Sequence, residues 1–90
     1  MSLYRIKHKP TGLYYHPVRN GNNLSKIGKV YHTMGNPLYK NYGRDYILIQ
    51  FNKYSLIYKE YSKYFPNMKD YGTCGISCRV PLSEFEIENL

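Results

Sequence analysis

The stretch DYILIQFNKYSLIYKEYSKYFP (45–66) decides the fold. Its first part, Asp45 to Phe51, is the strongest strand signal in the chain, apolar enough to lie centrally in a sheet. Its second part changes period: Tyr54, Ile57, Tyr58, Tyr61 and Phe65 recur at the spacing of one face of an amphipathic helix. Lys53, Lys59, Glu60 and Lys63 fall off that stripe, and Pro66 closes the helix because its ring cannot continue the ladder. A tyrosine and phenylalanine stripe at helical spacing reads first as core. The prediction is an α+β fold: a small single domain spanning 1–90, with a mainly antiparallel sheet of four or five strands and one main helix of about 53–65 packed on a face. Ile6, Val30, Ile47, Ile49 and Phe51 are the expected sheet side of the core.

Towards the N-terminus the period is two. Tyr4, Ile6 and His8 point one way and Arg5, Lys7 and Lys9 the other, as a half-buried strand requires. Pro10-Thr11-Gly12 reads as the turn to a second strand, Leu13 to His16. If Lys9 pairs with Leu13, Lys7 faces Tyr15; a slip of one residue puts Tyr14 and His16 there instead. Pro17 to Asn23 is turn-rich and reads as an exposed loop carrying Arg19. A further turn at Ser25 to Gly28 leads to a strand over Lys29 to Thr33. Asn36 and Pro37 read as N-cap and first residue of a short helix ending near Tyr42.

Towards the C-terminus, Asn67 to Gly75 reads as loop and Ile76 to Val80 as strand. The final segment is ambiguous. Ser83 with Glu86 would make a capping box for a helical turn, whereas Phe85 and Ile87 alternate as in a strand.

Composition narrows the function. The 90 residues carry 13 Lys and Arg against six Asp and Glu, a net charge of +7, and 42% of them are hydrophobic, which argues against a disordered chain and excludes an acidic tail protein. The longest apolar run is Tyr46 to Ile49, too short to span a bilayer, and MSLYRIKHKP lacks the apolar region of a signal peptide. A soluble, cytoplasmic protein with no membrane partner is expected. The charge is unevenly placed. Residues 1–44 hold eight Lys or Arg and no acid, whereas residues 45–90 hold five basic and six acidic groups. Such a split points to a polyanion or an acidic partner for the first half.

Catalytic chemistry finds little support in the residue pattern. No glycine-rich phosphate loop, cysteine–histidine nucleophile signature or carboxylate pair stands out. Glu84, Glu86 and Glu88 read as a solvated edge. Cys74 and Cys78 lie four apart, looser than the spacing of structural zinc knuckles, and two of His8, His16 and His32 would have to complete a site from the opposite half. The expectation is two reduced thiols, at least one of them buried, with no metal and no cofactor. Metal-free RNA cleavage stays open, since it asks only for His, Lys, Arg and Tyr as acid, base and phosphate clamp. Binding is the better-supported reading, because Arg and Lys alternating along a strand near tyrosines supply phosphate contacts and flat surfaces for bases. The candidate binding residues are Arg5, Lys7, Lys9, Tyr15, Arg19, Lys26, Lys29 and Tyr31.

The segments YRIKHKPTGLYYHP and NLSKIGKVYHTMG, with the K-x-T-G turn at Lys9 to Gly12, the aromatic strand Leu13 to Tyr15 and the hairpin Ser25 to Tyr31, resemble a group of small tailed-bacteriophage proteins of unassigned function. The resemblance covers about the first 40 residues, with Arg79 to Glu88 as a closing element. It implies a phage-type accessory protein acting in the host cytoplasm, where small early proteins redirect host machinery or blunt its defences. The expected partner is nucleic acid or an acidic surface of a nucleic-acid-handling or defence complex. A plain RNA- or DNA-binding protein and a small metal-independent ribonuclease are the alternatives.

Overall fold

A computed structural model describes residues 3–18, 21–32 and 44–90. In chain order the strands are β1 (Tyr4–His8), β2 (Leu13–Tyr15), β3 (Leu24–Ser25) and β4 (Tyr46–Asn52), then helix α1 (Leu56–Tyr61), then β5 (Lys69–Tyr71), β6 (Gly75–Pro81) and β7 (Phe85–Asn89). Short 3₁₀ turns follow α1 at Ser62–Tyr64 and precede β7 at Leu82–Glu84. The α+β class holds, with every strand pair antiparallel, but the strands divide into two sheets in the orders β3-β2-β1-β7 and β4-β6-β5. The single sheet of four or five strands is thereby corrected. The reason is pairing partners: β1 takes the C-terminal β7 along its whole length, from Tyr4 opposite Asn89 to His8 opposite Phe85, while β4 pairs with β6. No helix among the described residues is long and apolar enough to cross a membrane.

Alternation works as the sequence predicts in β1, where Tyr4, Ile6 and His8 are buried and Arg5 and Lys7 half-buried. In β4, Ile47, Ile49 and Phe51 face the core. Ile6, Leu24, Ile49 and Phe51 are among the largest fully buried side chains, and each such side chain contributes roughly 1.5–3 kcal/mol relative to exposure. β4 is nevertheless an edge strand and not a central one. Its outer edge is covered by two asparagines of the β2–β3 loop. Asn23 donates its backbone N–H to the Gln50 carbonyl and accepts the Gln50 N–H on Oδ1, both at 2.8 Å, and Asn22 Oδ1 accepts the Asn52 N–H at 2.9 Å. These bonds stitch the two sheets together.

The helix is shorter than the expected 53–65. Tyr54 N–H is caught by Asn52 Oδ1 in a turn, and Ser55 is the N-cap, its hydroxyl accepting the Tyr58 N–H at 3.1 Å. Both side chains satisfy backbone donors that a longer helix would leave open. Tyr54 therefore leaves the stripe and is 69% exposed, whereas Ile57, Tyr58 and Tyr61 pack partly buried against the core and Phe65 is buried.

Other readings change or are settled, and Lys69–Tyr71, within the stretch expected as loop, forms β5. Lys29 to Thr33 is no strand within the described residues: only Tyr31 forms a bridge, to Tyr4, and Val30 is exposed. Lys7 lies opposite Tyr14, so the first hairpin takes the slipped register. The ambiguous C-terminal segment is a strand, with Phe85 buried and Glu86 exposed. The short helix at 37–42 and Thr33 lie outside the described residues.

Candidate functional site

The outer face of the four-stranded sheet collects the basic residues of β1, and the fold places acids beside them. Arg5 lies opposite Glu88 and Lys7 opposite Glu86. Arg5 Nη2 contacts Glu88 Oε1 at 3.1 Å and Lys7 Nζ contacts Glu88 Oε2 at 3.7 Å. The Arg5 guanidinium also lies 3.9 Å from the centre of the Tyr14 ring and donates to the Ile27 carbonyl. Tyr14 donates its hydroxyl to Glu88 Oε1 at 2.7 Å. That hydrogen bond, with the two cations, holds the Glu88 carboxyl below the usual range. The same hydrogen bond pushes the Tyr14 hydroxyl up, against the opposing pull of Arg5 and Lys7. Arg5 is thus largely used within the protein.

The loop after β3 supplies further cations to the same sheet. Gly28, at φ 71°, lies so close over Tyr14 that a β-carbon there would sit 2.3 Å from Tyr14 Cβ. Lys26 and Lys29 lie on either side of Gly28 in the sequence and are exposed, with Lys29 Nζ 5.0 Å from the centre of the Tyr31 ring. Lys9 is exposed in the Lys9–Gly12 turn. Of the aromatic candidates, Tyr31 is buried and stacks on Tyr4 at 5.6 Å, and burial raises its hydroxyl to about 12. Tyr15 packs against the core, and burial pushes its hydroxyl up as well. The tyrosine beside the basic row is Tyr14. Arg19 lies outside the described residues.

A second basic and aromatic surface escapes sequence reasoning. On the outer face of the three-stranded sheet, the Tyr46 ring has Arg79 at 4.7 Å and Arg44 at 6.0 Å, next to exposed Leu48. The parity of Arg44, Tyr46 and Leu48 was a readable signal, but Arg79 joins them only through the β4–β6 register, which sets it opposite Leu48.

All six acidic residues lie among the described residues. Of the eleven Lys and Arg described, three (Arg5, Lys7 and Lys53) contact a carboxylate, which leaves eight without one. The positive charge is therefore largely uncompensated at the surface.

The histidines do not form a cluster around His8. Its ring is fully buried, between Phe65 and Phe85 with both ring centres at 5.2 Å. Nε2 donates to Glu84 Oε1 and Nδ1 accepts from the Thr11 hydroxyl, both at 2.8 Å, since a carboxylate only accepts. Burial lowers the His8 pKa, against the opposing pull of Glu84. With both nitrogens engaged, His8 offers none to a substrate. His16 and His32 are exposed. Among the described residues no three His, Cys, Asp or Glu side chains come together in a way that could hold a metal ion. Cys74 is exposed and Cys78 buried, and burial raises the Cys78 thiol to about 11. Comparison with protein-family models, with curated proteins and with solved structures returns no match.

Proposed function

We propose that this protein acts by binding, as a small phage-type accessory protein that inhibits or redirects a nucleic-acid-handling or defence complex. The observation that carries the reading is the uncompensated charge: eight described cations have no carboxylate partner, and the loop that carries Lys26 and Lys29 runs over Tyr14 at Gly28 with its Ile27 carbonyl bonded to Arg5. Surface cations without a carboxylate partner gain most from a polyanion, because each phosphate contact releases condensed counterion. The sequestration of His8 favours binding over RNA cleavage. The phage-type role rests on the resemblance of the first hairpins.

The test is capture of partners on the immobilised protein from a lysate of the native host, with and without nuclease. Retention that falls steeply between about 50 and 200 mM salt and disappears after nuclease supports direct nucleic-acid binding. Salt-sensitive retention of a protein complex that survives nuclease supports an acidic protein surface. No salt-sensitive retention of either kind counts against the proposal.

A further inference from the structure

We infer that the edge of β6 that has no strand partner among the described residues is a docking groove for an acidic protein segment in extended conformation. β5 ends at Lys69, opposite Ser77, and Asn67, at φ 64°, turns the preceding chain away. From Cys78 to Pro81, β6 then has β4 on one side and, among the described residues, no strand on the other. A groove of about 680 Å³ opens along this run, walled by Leu48, Tyr64, Phe65 and Pro66. Lys69 and Arg79 also line it, and neither contacts a carboxylate. Lys63 adds a third positive charge over the Tyr64 ring at 5.5 Å. The one acid in the groove, Glu84, is tied to His8 at 2.8 Å.

An open strand edge offers backbone donors and acceptors to another backbone, and side-chain pockets on alternate positions give specificity. A strand laid beside Cys78–Pro81 would turn apolar side chains of one parity to the aromatic wall. Those of the other parity would meet Lys69 and Arg79, so carboxylates fit there. Four edge residues extend about 13 Å, the reach of a short segment. A nucleic acid has no peptide backbone to pair with this edge, which favours a protein occupant. The inference goes beyond the polyanion reading, because Lys9, Lys26 and Lys29 do not line the groove.

The test uses the full chain and a fluorescent peptide of about ten residues alternating Glu and Val. The controls are an alternating Lys and Val peptide, an alternating Glu and Pro peptide that keeps the charge but cannot form a strand, and single-stranded oligothymidylate. The Glu/Val peptide should bind saturably, slow amide exchange within residues 78–80 and resist displacement by oligothymidylate, while the two control peptides bind at least tenfold more weakly (about one decade, as for loss of a close charge pair). Arg79→Glu and Lys69→Glu should each weaken binding about tenfold, and Lys26→Glu should leave it unchanged. Either groove variant suffices if circular dichroism shows that the other fails to fold. Absence of saturable binding overturns the inference. So does equal binding of the Glu/Pro peptide, which would mean charge alone, or displacement by oligothymidylate, which would mean a nucleic-acid site.

Discussion

Asn23 stands in for a strand partner of Gln50. It exchanges two hydrogen bonds with that residue, one through its backbone and one through its side chain, while its Nδ2 donates to the carbonyls of His16 and Val18. The side chain is buried and every polar atom of it is used. It holds the outer edge of β4 where an ordinary sheet would have placed another strand.

Asn23→Ala should therefore destabilise the protein by about 2–4 kcal/mol, since it strands the Gln50 N–H and two carbonyls. Urea unfolding checks this: the midpoint should fall with little change in slope. Asn22→Ala, at a half-buried position with backbone acceptance from Asn52, should cost visibly less.

His8 sets the acid limit of stability. Burial lowers its folded pKa below the usual 6.5, so below that pH the unfolded chain binds the proton more readily than the folded one. Stability contributed by neutral His8 is complete above pH 6.5 and is lost as pH falls through the lowered folded value. Melting temperature should start to drop as pH falls below about 6.5, ahead of the carboxylate range. His8→Gln should flatten that segment of the profile even though it lowers stability throughout.

The two cysteines should separate cleanly. Cys74 is exposed, whereas the buried Cys78 thiol is raised to about 11. A thiol reagent at neutral pH should modify one cysteine per native chain quickly and the second only after unfolding, with mass spectrometry placing the first on Cys74. Rapid modification of both would contradict the packing of β6.

Gly28 is constrained twice, by its left-handed φ of 71° and by a clash at 2.3 Å with Tyr14 Cβ for any side chain. Gly28→Ala should lower the melting temperature by roughly 8 °C or more, given that about 1 kcal/mol moves a domain of this size by 4–8 °C.

Much of this fold was legible because its signals are local. Period-two burial in Tyr4–His8 and in Ile47–Phe51, the Pro10–Gly12 turn and the Ile57–Phe65 stripe all act over a few residues. What stayed hidden depends on partners far apart in sequence. Glu84 and Glu88 looked like a solvated edge, yet Glu84 holds His8, and β7 lies beside β1 and sets Glu88 against Arg5 across 83 residues. The +8 character of the first half is thereby softened on β1, and the cations without a carboxylate are those of the loops, of α1 and the turn after it, and of the second sheet. Tyr31 read as a binding residue because it follows Lys29, but its bridge to Tyr4 turns it into the core. Ser55 shortened the helix because a local cap with a hydroxyl acceptor outcompeted the periodicity that included Tyr54.

In the proposed binding mode the exposed cations of the loop after β3, Lys26 and Lys29, grip the target. The most direct measurement compares wild type with the double variant Lys26→Glu, Lys29→Glu in capture from host lysate at low salt. Both side chains are exposed and neither contacts a carboxylate, so the variant should keep its melting temperature nearly unchanged. The double variant should retain less than about a tenth of the target held by wild type, the loss expected when attractive charges are reversed. A folded double variant that holds its target at full strength would contradict this binding mode.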